Sequence, residues 1–156
     1  MDWLQFVVQW LHVLLGITWF GYAISMYFLV SPALAEMPEQ QQRATNARLG
    51  EIGQKVFPIV GASVLLLGIL RGTVFGPIKS LEDLFGTGYG ITWIVALLAT
   101  IALFYTGARH LGPAFVALKD ATDFPAAAAR MRRLATFDLG LFFVIFTCMI
   151  LMRFGF

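Results

Sequence analysis

Charge is sparse in this chain. Asp, Glu, Lys and Arg make up only 13% of its 156 residues, where a soluble globular domain carries roughly 25%. Hydrophobic residues fill 59% of the positions, against roughly 45–50% in soluble domains. The mean hydropathy is +0.79. This balance excludes an ordinary water-soluble fold. The net charge of +2 is too small to build a basic face, so nothing points to nucleic acid.

Cysteine is nearly absent. Cys148 stands alone inside an apolar run, which excludes an internal disulfide and any Cys-x-x-Cys metal or redox motif. Histidine is almost as rare, with only His12 and His110. No shift in composition marks a second domain, and no sequence repeat stands out, so residues 1–156 read as a single domain. The opening segment lacks the Lys or Arg of a secretory leader and carries Asp2 instead. Its apolar run is also longer than a leader's, so it is expected to stay as a helix.

What the chain does have is four long apolar stretches, near residues 3–30, 56–75, 91–108 and 134–152. Each is close to the roughly 20 residues that cross a bilayer core. Arg43, Arg48 and Lys55 lie between or at the edges of the first two stretches. Arg109, Lys119, Arg130, Arg132 and Arg133 lie between the last two. These eight outnumber the three basic residues of the other side, Arg71, Lys79 and Arg153. The positive-inside rule then puts the eight-residue side in the cytoplasm and both termini outside. Trp3, Trp10, Trp93 and Tyr89 gather near the outer boundary as an aromatic belt. The polar residues 36–54 are expected to extend a span into the cytoplasm, residues 126–134 to form a cytoplasmic helix, and residues 78–85 a short interfacial one.

Lipid is as apolar as leucine, so a bundle interior shows itself as polar and small residues at helical spacing. The first span offers Gln5, Gln9, His12, Gly16, Trp19 and Ala23. The second offers Phe57, Gly61, Val64, Gly68 and Arg71. The third offers Thr92, Ala96, Ala99, Leu103, Thr106 and His110. The fourth offers Asp138, Phe142, Ile145, Met149 and Met152. The expected fold class is all-α: an integral membrane antiparallel four-helix bundle with a semi-polar interior. Helical rise places His12, Arg71 and Met149 at one outer level, and Arg109, His110 and Asp138 at an inner one.

An ionisable group within a membrane is costly and is by default a functional candidate. The bland readings are that Arg71 snorkels, that Asp138 pairs with Arg109 or caps its helix, and that the methionines pack. His12 is the hardest to explain away. A neutral imidazole inside a bundle is a ready metal ligand. Haem b fits this pattern with His12 as axial ligand, Gly16 leaving room for the porphyrin, and Trp19 packing at its edge. Arg71 would pair with a propionate, and Met149 would be a possible sixth ligand. A bis-His haem is excluded because His110 lies roughly 20 Å away along the membrane normal by helical rise. A soft copper site from His12, Met149, Met152 and Cys148 is the second reading, although Cys148 faces away from Met149. A structural membrane subunit with no metal is the third.

The segment WLHVLLGITWFGYAISMYFLVSPAL, with His12, Trp19 and Gly21, resembles the opening helix of a group of small bacterial membrane proteins. The group includes the CopD-like copper-resistance domain, the HemJ-type protoporphyrinogen oxidases and TMEM205-like proteins. Met37-Pro38, KVFP at 55–58 and MILMR at 149–153 are similar to its uncharacterised members. The HemJ-type resemblance implies haem b held by His12, and the CopD-like resemblance implies copper uptake. The expected function is therefore a haem b-binding redox protein of the bacterial inner membrane that transfers electrons. Its partner would be a quinone, a porphyrinogen-like substrate or another redox protein. Copper handling is the alternative. The small residues on the four stripes would also permit a homo-oligomer.

Overall fold

The computed structural model describes residues 2–155, and they form an almost wholly helical chain. Four helices are long and apolar enough to cross a membrane: α1 (Trp3–Ala35), α2 (Glu39–Gly72), α4 (Gly88–Asp120) and α5 (Phe124–Arg153). A short helix, α3 (Leu81–Gly86), sits in the connection between α2 and α4. At roughly 1.5 Å per residue the long helices run about 45–50 Å, beyond the roughly 30 Å hydrocarbon core. Their ends therefore project into water, which is why the apolar stretches are shorter than the helices.

Helix α2 illustrates this. It starts at Glu39, well before the second apolar stretch, because Glu, Gln, Arg and Ala favour helix without needing to be apolar. It stops at Gly72 rather than running on to Phe75. Residues 126–134 likewise belong to the continuous α5 rather than to a separate helix. The interfacial helix begins later than the hydropathy implies. Ser80 and Asp83 form a reciprocal capping box that fixes the start at Leu81, and Ile78 is buried instead. The Asp83 carboxylate accepts N–H bonds from Lys79 and Ser80, each 2.9 Å long. The Lys79 amide and then the Ser80 hydroxyl hold this carboxyl below the usual aspartate range.

Two helices widen at one point each. Met26–Val30 and Gly107–Leu111 are π-helical turns, and Pro32 and Pro113 each follow one residue past such a turn. Proline has no N–H to give, and its ring crowds the carbonyl four residues back, so the helix opens there.

The long helices pack as a bundle. Helix α4 packs most extensively on α5, and α1 rests mainly on α2 and only lightly on α5. At mid-bundle Trp19, Leu103 and Phe142 form a buried cluster, with Trp19 edge-on to Phe142 at 5.3 Å between centroids. Glycine permits the closest approach here, since a methyl at Gly61 would meet Trp19 and Phe104 at under 3 Å. A second cluster of Leu118, Phe124 and Met131 closes one end. Arg43 staples it: Nη1 donates to the carbonyls of Leu118 (3.2 Å) and Ala121 (2.8 Å), and the guanidinium lies 4.8 Å from the Phe124 ring. Large apolar side chains such as Ile17, Ile59, Leu66 and Leu98 point outward, as lipid requires.

Candidate functional site

The mid-bundle cluster separates two cavities, and Trp19, Leu103 and Phe142 line both. One lies toward the chain termini and encloses about 730 Å³. Steps of three and four along α1 bring Gln9, His12, Gly16 and Trp19 onto its wall. Helix α2 supplies Val64, Gly68 and Arg71, and α5 supplies Met149 and Met152. The five residues singled out as a cofactor site, His12, Arg71, Trp19, Gly16 and Met149, thus border one space. Met149 stands at its edge and is 36% exposed. Cys148 is buried but lines neither cavity, so it does not join the two methionines around His12.

His12 owes its position to Gly68. A methyl there would come within 3.2 Å of the imidazole Cε1, so any larger residue would push the ring away from α2 by a few tenths of an ångström. The backbone of Val64 lies beside the ring, yet Nδ1 is buried without a hydrogen-bond partner. It is the only such side-chain atom among the described residues. A ligating histidine usually directs its other nitrogen at a backbone carbonyl, and this arrangement is close to that pattern. Gly16 has nothing within 4 Å of a would-be side chain, so the wall next to His12 is open.

Arg71 does not simply reach for water. Its Nε donates to Gln9 Oε1 and its Nη1 to the Phe75 carbonyl at 3.2 Å, and Gln5 Nε2 donates to that same carbonyl at 3.4 Å. Among the described residues no acid pairs with Arg71, and no Asp or Glu lines this cavity. The cavity is therefore electropositive and suited to a ligand with an anionic end. Tyr89 and Trp93, which read from the sequence as belt residues, line it too, and Trp93 Nε1 donates to the Gly68 carbonyl at 3.4 Å.

These observations bear on a haem. The volume lies within the roughly 300–1,000 Å³ of cofactor pockets. Arg71 has no acid partner among the described residues, and Gly16 leaves the wall beside His12 open. The residues fit the group.

The second cavity, about 450 Å³, was not foreseen from the sequence. Both π-turns contribute to its wall, through Met26 and Tyr27 on one side and Gly107, Ala108 and Leu111 on the other. Asp138 lines it, 5% exposed, with Oδ1 accepting the Thr106 hydroxyl at 2.6 Å. The inner polar layer is thus not the one expected. Arg109 and His110 are exposed, His110 stacks edge-on against Tyr105 at 5.6 Å, and neither forms a salt bridge with Asp138. The available signal was the pair of prolines inside apolar helices, since π-turns are enriched at functional sites. No family model, curated protein or solved structure matches the chain.

Proposed function

We propose that this chain is an antiparallel four-helix protein of the bacterial inner membrane that binds haem b through His12 and transfers electrons. The antiparallel order is supported by contacts that count down as α1 counts up: Gln5 with Phe75, Gln9 with Arg71, and Trp19 against Gly61. On the opposite flank Trp19 meets Phe142 and Tyr27 meets Thr136. The basic residues then favour both termini outside, with the His12 cavity in the outer half.

The observation that carries the reading is the half-buried imidazole of His12, whose Nδ1 is buried without a hydrogen-bond partner, on a cavity lined by Arg71 and by no acid among the described residues. With haem bound, His12 would ligate the iron and Arg71 would pair with a propionate, while Gln9 accepts the Arg71 Nε–H and holds the guanidinium in place. Trp93 and Trp19 add apolar surface to the wall. Haem b bound there supplies one-electron redox chemistry. The electron partner is a quinone or another redox protein reached from the membrane. The resemblance of the first helix to HemJ-type proteins agrees with this assignment of His12.

The test is an absorption spectrum of detergent-purified protein, oxidised and dithionite-reduced, beside His12→Ala. The expected result is a Soret band in the parent chain that the variant lacks. No haem absorbance after expression with ample haem supply overturns the reading. A second reading is favoured by Met149 and Met152 on the same cavity: a soft copper ion held with His12. Copper retained through dialysis and lost in Met149→Leu selects it. A colourless, metal-free protein that co-purifies with a larger complex points instead to a structural subunit.

A further inference from the structure

We infer that the inner cavity is a binding site for a lipophilic organic cation, held by the Asp138 carboxyl among aromatic faces. The inference does not depend on what occupies the His12 cavity. It starts from an uncompensated acid. Asp138 is 5% exposed, deep in an apolar bundle, and its protein partner is a neutral hydroxyl, Thr106, at 2.6 Å. Among the described residues it forms no salt bridge. Acids within membrane helices are rare and face interior cavities where they have a partner to meet. Among the described residues no cation is within salt-bridge distance of it, and a ligand can be.

The walls select for the same charge. Tyr22 and Phe57 lie 4.4 Å apart between centroids, tilted at 38°, and Trp19 stands perpendicular to Phe142. With Phe104 these rings all border the cavity. Aromatic faces carry the negative end of the ring quadrupole, and each well-placed face attracts a desolvated cation by roughly 0.5–2 kcal/mol. A cavity lined by these rings and one carboxyl favours a positive ligand, tolerates a neutral one and rejects an anion. Arg132 also borders the cavity but is exposed. Its charge is therefore screened by water and salt within about 8–10 Å, whereas that of Asp138 is not.

Size and wall character point the same way. About 450 Å³ suits a single drug-sized molecule. Most of the lining is apolar, so a small hydrated cation gains little there, and a quaternary ammonium or aryl phosphonium with a greasy exterior gains most. The two π-turns add shape. Each widens its helix beside the cavity, and Gly107 leaves room in front of Asp138 Oδ2.

The experiment is equilibrium binding of radiolabelled tetraphenylphosphonium to the full chain in lipid nanodiscs, with empty nanodiscs subtracted. Saturable binding at one site per chain is expected. Tetraphenylborate has nearly the same shape and the opposite charge, and is expected to bind at least tenfold more weakly. Asp138→Asn should lose at least tenfold in phosphonium affinity, Asp138→Glu should lose less, and Glu82→Gln, an exposed acid elsewhere, should lose nothing. Slow thiol labelling of the buried Cys148 verifies that each variant is folded. If Asp138→Asn fails to fold, the comparison of the two lipophilic ions on the parent chain decides. No saturable phosphonium binding, equal binding of both ions, or undiminished binding by folded Asp138→Asn overturns the inference.

Discussion

Replacing Arg43 by alanine removes one side chain that ties two segments together. Its Nη1 donates to the Leu118 and Ala121 carbonyls at 3.2 and 2.8 Å, and its guanidinium lies 4.8 Å from the Phe124 ring. Hydrogen bonds to a charged donor are worth roughly 1.5 kcal/mol each at the lower end, giving about 3 kcal/mol for two. The cation–π contact adds about 1 kcal/mol. Freeing a long side chain returns about 2 kcal/mol of conformational entropy. The exposed ion pair with Glu39 contributes a few tenths at most, since that carboxylate is 56% exposed. The net loss is about 2 kcal/mol, or roughly thirtyfold in the unfolding equilibrium at 1.4 kcal/mol per factor of ten.

Cys148 supplies the assay. It is the sole cysteine and only 6% exposed, so thiol labelling in mixed micelles of rising sodium dodecyl sulfate follows unfolding of the bundle. The internal control is Arg48→Ala. Arg48 lies on the same helix and pairs with Glu51 at 2.9 Å, but its side chain is 70% exposed, so its loss should cost under about 0.5 kcal/mol. Arg43→Lys keeps the charge without the fork and should fall between the two. If Arg43→Ala and Arg48→Ala destabilise equally, the argument from burial and bond partners is refuted.

Leu103→Ala should destabilise by about 3–5 kcal/mol, because Leu103 is 2% exposed between Trp19 and Phe142 and the site has little room to collapse. The same labelling midpoint checks it, and an unchanged midpoint would show that the cluster does not hold the bundle. Gly68→Ala puts a methyl 3.2 Å from His12 Cε1 and should weaken haem retention roughly tenfold, as displaced ligand supports do, with Cys148 still protected. Full retention of the Soret band would disprove the role given to Gly68. Acid should loosen α3 through Asp83. Its folded pKa is depressed, so its contribution is present above the ordinary aspartate pKa of about 3.9 and fades as pH falls through the lower folded value. Hydrogen exchange at the Asp83 amide, which donates to Ser80 Oγ, should accelerate there beyond its intrinsic pH trend. Asp83→Asn should exchange fast at all pH values, and identical profiles would refute the cap's dependence on charge.

Much of this protein is written locally in its sequence. Four apolar stretches of bilayer length are a property of consecutive residues, and four helices follow because lipid leaves backbone groups no other partner. The interior stripes were legible for a similar reason, since helical spacing fixes which side chains share a face whatever the neighbours do. That is how Gln9, His12, Gly16 and Trp19 could be grouped with Arg71 before their cavity was seen. The helix lengths were less legible because hydropathy ends at the membrane surface while helix propensity continues past it, as in α2. The rest depends on how the helices rotate and slide against one another, which no local pattern encodes. The Thr106–Asp138 bond, the contact of His12 with Gly68 and the reach of Arg43 to the Ala121 carbonyl join residues 32, 56 and 78 positions apart (138 − 106, 68 − 12, 121 − 43). So does the division into two cavities, because Trp19, Leu103 and Phe142 meet only once three helices pack. Sequence marked Asp138 as costly; only the packing revealed that it lines a largely apolar, aromatic cavity without a salt-bridge partner among the described residues.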